Sequence, residues 1–190
     1  MKNQIRLLGI DDSPFSFSDK YSIIVGVVMR GGSYIEGVLS RKIEVDGDDS
    51  TINCINMVKK TKYKKQLKSI LLNGINFCGF NVIDIEKIFS ETGIPVITVT
   101  RDKPNFKQIK NALMKNFTDW KSKLELIEKG SLNVVKTDFN PIYVKFCGID
   151  FEEAKEIIKI STIRGVIPEP IRIAHLIASG ITRGESYGKA

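Results

Sequence analysis

Histidine occurs once in this 190-residue chain, and that scarcity removes several chemistries together. A lone His175 cannot build a histidine-based zinc site, and no Gly-x-Ser-x-Gly elbow is present for a hydrolase triad to use. On sequence grounds His175 reads as a packing residue of a late helix. Cysteine is nearly as sparse. Cys54, Cys78 and Cys147 lie far apart with no Cys-x-x-Cys pair, so they read as small buried residues of a reducing compartment rather than as a zinc site or disulfide set. No run approaches the ~18 apolar residues of a membrane span. The opening MKNQIRLLGIDD is too short and polar for a secretory leader, which makes the cytoplasm the expected location. No phosphate-binding P-loop and no dinucleotide fingerprint follow the first strand.

What the chain has is a core and a positive charge. Hydrophobic residues make up 42% and charged residues 27%, the balance of a globular domain. The length suits one domain, residues 1–190. The net charge of +7 favours polyanions. Lys59, Lys60, Lys62, Lys64, Lys65 and Lys68 fall within ten residues around Tyr63. Such a run is either a solvated face or a phosphate-contacting one.

Apolar periodicity divides the chain in two. Ile5–Ile10, Tyr21–Met29 and Tyr34–Val45 read as strands of an antiparallel meander, with a hairpin turn at 30–33 and a bulge near Gly37. Helical and strand patterns then alternate. Helices are expected after an Asp49 or Ser50 cap, over Asn81–Thr92, over Asn105–Lys129 in two pieces around Asp119, over Asp150–Ile160 and over Pro170–Thr182. Buried strands are expected at Leu67–Leu72, Val96–Val99 and Ile142–Cys147, and RGESYGKA as a frayed end. This order predicts a mixed α/β sheet, three antiparallel strands followed by parallel strands, with helices on both faces.

Three stretches can carry chemistry. GIDDS (9–13) ends the first strand on two carboxylates, of which only one can face a given side. IEVDGDDS (43–50) supplies Glu44, Asp46, Asp48 and Asp49 after the third strand, as metal oxygens or as turn and cap residues. LLNGINFCGFNVIDI (71–85) places Asn73 at a strand end, then Gly79, Phe80 and Asn81, which can stack on and hydrogen-bond a splayed base or can form a strand–turn joint. Asp84 reads as structural.

GVIPEPIRIAHLIA (165–178) resembles the C-terminal Pro-Glu-Pro segment of endonuclease V, and GIDDS resembles its first metal-binding motif, with Asp11 at the carboxylate. SYIEG (33–37) resembles the Pro-Tyr-Ile-Pro wedge without its prolines, which matches Tyr34 to the wedge tyrosine. GINFCGFNVIDI, IEVDGDDS and IPEPIRIAH are together closer to the archaeal endonuclease dU family, over nearly the whole chain. The resemblance implies a ribonuclease H-like fold and a Mg2+- or Mn2+-dependent DNA-repair endonuclease acting at a deaminated base, deoxyuridine above all. It implies Asp11 and Asp46 as metal ligands, Asp49 and Asp150 as further catalytic candidates, Tyr34 as wedge, and Gly79, Phe80 and Asn81 around the base. Lys62, Lys64 and Lys65 would meet phosphates. Asn73 stands where endonuclease V has a carboxylate, Glu44 competes with Asp46, and the family's late histidine falls near Cys147 or Ile149. The alternative is a non-catalytic nucleic-acid-binding protein with an incomplete metal site.

Overall fold

A computed structural model describes residues 4–188. Strands β1 (Arg6–Asp12), β2 (Tyr21–Arg30) and β3 (Tyr34–Glu44) form the expected meander. Their register slips between Val28 and Met29, opposite Glu36 and Gly37, which is the anticipated bulge. Helix α1 (Ser50–Lys60) and a 3-10 turn (Lys64–Gln66) lead to β4 (Leu67–Asn73). A two-stranded flap, β5 (Asn76–Phe77) and β6 (Asn81–Val82), precedes α2 (Ile85–Thr92). Strand β7 (Val96–Thr100), helices α3 (Phe106–Asn116) and α4 (Trp120–Glu128), strands β8 (Asn133–Val135) and β9 (Ile142–Cys147), and helices α5 (Phe151–Ser161) and α6 (Glu169–Arg183) complete the fold.

The main sheet has the order β3-β2-β1-β4-β7-β9-β8. β1, β4 and β7 run parallel; β9 returns antiparallel to β7, and the short β8, which the apolar pattern missed, pairs antiparallel to β9. Alternation along β1 sends its side chains to two cores. Leu8 and Ile10 pack with Cys54, Ile55 and Val58 of α1, while Leu7 packs with Ile157 of α5 and Ile171 of α6. Helices therefore cover both faces, as expected.

Two boundaries move. The helix expected over Asn81–Thr92 begins only at Ile85, because Asn81–Val82 pairs with Asn76–Phe77 and Asp84 is the cap, accepting the Lys87 N–H at 3.0 Å. Of the end expected to fray, residues 183–188 are ordered against α6, and Lys189 and Ala190 lie outside the described residues. Gly184 ends α6 in the left-handed conformation and the following segment folds back on the helix, with Ser179 Oγ donating to the Tyr187 carbonyl at 3.4 Å.

Gly9 sets the position of α6. A Cβ at Gly9 would stand 2.5 Å from the Ile171 backbone nitrogen, so only glycine lets the Pro168–Ile171 segment lie flat on β1. From Ile171 the helix climbs about 6 Å to residue 175, at ~1.5 Å per residue. Over the same span β1 advances about 6.6 Å from Gly9 to residue 11. The close approach at Gly9 therefore delivers His175 to the level of Asp11.

Candidate active site

Asp11 is 1% exposed and lies on the α6 side of β1. Its Oδ2 is 2.9 Å from Nδ1 of His175. Its Oδ1 accepts the Asn73 side-chain amide at 3.0 Å and the Asp12 backbone N–H at 2.9 Å. Asn73 ends β4, the parallel neighbour of β1, so adjacent strand ends and one helix converge on a single carboxylate. The hydrogen bond to Asp11 holds the His175 imidazole above its usual pKa, against the opposing effect of burial. The ring's second nitrogen, Nε2, is buried and has no hydrogen-bond partner.

Asp12 points to the opposite face, where Oδ2 accepts the Cys78 N–H at 2.6 Å. Burial and the neighbouring Asp11 charge push its carboxyl up to about 7. Cys78 has φ 43 and Asp46 φ 54, both left-handed, and the Asp46 N–H donates to the Cys78 carbonyl at 2.8 Å. The Cys78 thiol is itself pushed up to about 12 by burial.

The second acidic cluster fastens this loop and does not approach Asp11 in any hydrogen bond. Asp46 Oδ1 accepts the Phe80 N–H at 2.7 Å, and a side chain at Gly79 would run into that carboxylate. Asp49 accepts Asn81 Nδ2 at 2.6 Å, Asn53 Nδ2 at 2.9 Å and the Glu44 N–H at 3.2 Å. Lys123, 3% exposed, donates to the carbonyls of Gly47 and Phe80 and pairs with Asp48, tying α4 to both loops. A buried ammonium so placed fixes loop geometry, because every donor it carries needs a partner.

The remaining sequence candidates fall elsewhere. Asn81 is fully buried and its amide is consumed by the Ser50 N–H, the Glu44 carbonyl and Asp49, so it has nothing left for a base. Phe80 packs edge-on against Phe117, with ring centroids 5.7 Å apart. Asp150 caps α5, accepting the Glu153 N–H at 2.8 Å. Tyr34, 62% exposed, lies at the wrong end of the sheet for a wedge at Asp11. It pairs with Arg30, which pairs with Arg6, five residues and roughly 16 Å along β1 from Asp11. Lys62, Lys64 and Lys65 precede Leu67, also opposite Arg6, and so share that far end.

His175 is the residue that sequence reasoning missed, both as a packing residue and as the late histidine sought near Cys147 or Ile149. The signal was its fixed distance from Pro168-Glu169-Pro170, which enters the site only through the close approach at Gly9. Among the described residues, no group of three or more His, Cys, Asp or Glu side chains is close enough to hold a metal ion by itself.

Comparison with known proteins adds relatives at two distances. The sequence profile of the endonuclease dU family matches residues 3–182. A UPF0215 protein of Methanothermobacter thermautotrophicus is 46% identical, covering all of this chain and 94% of its own. One from Pyrococcus furiosus is 42% identical over 98% of this chain and 96% of its own. A crystal structure of a protein of unknown function from Archaeoglobus fulgidus superimposes with TM-score 0.84 at 38% identity, over 97% of this chain and 100% of the other. Human ENDOV superimposes with TM-score 0.61 at 15% identity, over 93% of this chain and 84% of its own. Endonuclease V of Ciona intestinalis, solved with a 24-mer DNA containing inosine, gives 0.60 at 16%, over 90% and 83%. At these identities the endonuclease V likeness establishes the ribonuclease H-like fold. No helix among the described residues is long and apolar enough to cross a membrane.

Proposed function

The chain belongs to the endonuclease dU family, and on that premise we propose that it is a divalent-cation-dependent endonuclease that cuts DNA at a deaminated base, deoxyuridine above all. The observation that carries this reading is the buried Asp11 carboxylate at the end of β1 with His175 and Asn73 on its two oxygens. A carboxylate buried among apolar strands is costly unless its partners are a designed part of the site. Of these groups only the Asp11 carboxylate is the charged oxygen donor that a hard cation such as Mg2+ or Mn2+ takes, and an imidazole nitrogen is a softer donor. Asp11 supplies a charged oxygen, His175 Nδ1 a nitrogen lone pair once its proton leaves, and the Asn73 amide a neutral oxygen if it turns end for end. Magnesium keeps several waters and binds through one or two carboxylates plus substrate phosphates, so a small donor set suffices. When bound, such an ion activates water and stabilises charge on the leaving oxygen.

The chain's own groups have separable tasks. Asp11 holds the centre of negative charge at the strand end. His175 keeps a proton at Nδ1 against Asp11 while no cation is present. Asp46, Asp49, Asn81 and Lys123 keep the loops at residues 44–50 and 78–81 fixed beside it. Asp46 is engaged by the Phe80 N–H, Asp49 by the Asn81 amide and Asp150 by the Glu153 N–H, which leaves His175 as the ionisable side chain bonded to Asp11. The basic far end, with Lys62, Lys64 and Lys65, suits duplex flanking the cut. Binding without cleavage is the competing reading, favoured by the neutral Asn73. Incubation of the purified chain with deoxyuridine, inosine and undamaged oligonucleotides, with Mg2+, Mn2+ or a chelator, decides between them. Cation-dependent cutting at deoxyuridine is expected; binding with no product under any condition refutes the enzymatic reading.

A further inference from the structure

Loops of residues 13–20, 45–49 and 101–105 and the flap segment 74–84 gather at the end of the sheet where β1 stops at Asp12, because Tyr21 pairs with Glu44 and Asn73 with Val99. Two of these segments are closed on each other. Asp46 accepts the Phe80 N–H, and Asn81 bonds Asp49 and the Glu44 carbonyl, which leaves the Asn81 amide nothing for a base. The outer two segments present their side chains to solvent. Phe17, 77% exposed, stands at the tip of a turn pinned by reciprocal hydrogen bonds: the Asp19 carboxylate accepts the Ser16 N–H at 2.8 Å, and the Asp19 N–H donates to the Ser16 carbonyl at 2.9 Å. Phe15, packed against the core beneath α1, meets the Phe17 ring edge to face, with centroids 5.4 Å apart and planes at 85°. Lys20 is exposed at the foot of the same loop. On the other side, Lys103 is exposed three residues past the end of β7.

Asp11 and Asn73 lie between these two loops. β7 is the second neighbour of β1, across β4, so at ~4.8 Å per strand the two loops leave the sheet about 10 Å apart, on the order of three base steps. Resting on the endonuclease reading above, we propose that the substrate strand crosses the strand ends along this line, with Phe17 stacking on an unpaired base beside the cut and Lys103 neutralising a phosphate on the opposite side of Asp11. A pinned aromatic tip suits this use. Every base has a π-face, so stacking needs no hydrogen-bond readout, and a loop already ordered loses little entropy on binding. A deaminated base pairs poorly, so unstacking costs least at the damaged position.

The test uses a single-stranded oligonucleotide carrying deoxyuridine with 2-aminopurine beside it, bound in chelator so that no cutting intervenes. Phe17→Leu keeps an apolar side chain and removes the π-face, Phe17→Trp keeps the face, and Lys103→Ala removes a charge. Both positions are exposed, so thermal melts should match the parent. The parent should quench 2-aminopurine on binding. Phe17→Leu should lose that quenching and about 5- to 150-fold in affinity, the range for one lost base stack, and Phe17→Trp should restore both. Lys103→Ala should keep the quenching and reduce the log–log salt slope by about 0.7, the single-strand value for one phosphate. Parental quenching and affinity in Phe17→Leu, a parental salt slope in Lys103→Ala, or no binding by the parent would overturn the path. A parent that binds and quenches but never cuts with Mg2+ or Mn2+ refutes the endonuclease reading and leaves the path standing. A parent that cuts, with Phe17→Leu equal to it in binding and quenching, does the reverse.

Discussion

Substituting Gly9 by alanine should separate the fold's stability from the geometry of its site. The added Cβ would stand 2.5 Å from Ile171 N and closer still to the Pro170 carbonyl carbon. Ordinary contact begins near 3.4 Å, so α6 must withdraw by roughly 1 Å. Neither neighbour can swing aside, because both are backbone. Overpacking of this kind costs about 1–3 kcal/mol. For a chain of this length each kcal/mol lowers Tm by about 2–4 °C. The sharper effect is on the site, because α6 carries His175 and β1 carries Asp11. Widening their 2.9 Å pair by an ångström should cut activity on the order of a hundredfold. Gly180→Ala is the control within the same helix. Its Cβ would meet nothing nearer than 4.0 Å, and alanine gains about 1 kcal/mol of helix propensity over glycine, so Tm should rise and activity hold. Differential scanning calorimetry and initial cleavage rates measure both proteins. A Gly9→Ala protein with parental Tm and parental rate would show that the helix is not set by this close approach.

Asp11→Asn should leave the protein folded and reduce cleavage about a thousandfold or more, since a charge at the reacting centre is removed; an unchanged single-turnover rate would displace Asp11 from the centre. Asn73→Asp should lower Tm without cations, because two carboxylates then face each other where an amide now donates to Asp11 at 3.0 Å, and Mg2+ should restore it while binding more tightly than to the parent. Equal Mg2+ affinity by calorimetry would mean that Asn73 does not face the ion. Neutralising Lys62, Lys64 and Lys65 together should flatten the log–log salt dependence of DNA binding by about 0.9 for each phosphate that is no longer neutralised; a parental slope would make the far end a solvated face. Glu36 is held below its usual carboxyl range by its hydrogen bond from Arg6, with Arg30 adding to it. A depressed folded value stabilises above the unfolded value, here 4.5, and that stabilisation disappears as pH falls through the folded one. The Tm gap between parent and Glu36→Gln should therefore be constant near neutral pH and close only in acid, and a gap that persists at pH 2 would assign the effect to packing.

The fold was legible because its signals are local. Alternation in Tyr21–Arg30, the Asn105 and Asp119 starts of α3 and α4, and the Pro168–Pro170 start of α6 each depend on residues a few positions apart. The errors arise where a distant partner decides. Asn81 sits before a helical pattern, yet its amide is claimed by Asp49, Ser50 and Glu44 more than thirty residues upstream, and the segment becomes a flap strand instead. Tyr34 matched a wedge by its neighbours in sequence, but strand register, which no short motif encodes, sends it to the end opposite Asp11. The carboxylates of residues 44–49 looked like metal ligands because sequence counts charges and not donors. In the fold, backbone N–H groups left unpaired by two left-handed residues, a buried ammonium and an amide consume those charges. His175 was undervalued for the converse reason. A single histidine on an amphipathic helix is indistinguishable from packing until the helix is placed, and its placement rests on the missing side chain of Gly9 on another strand. The Asp11–His175 pair thus depends on two positions 166 residues apart, Gly9 and His175, and a substitution at the first tests the role proposed for the second.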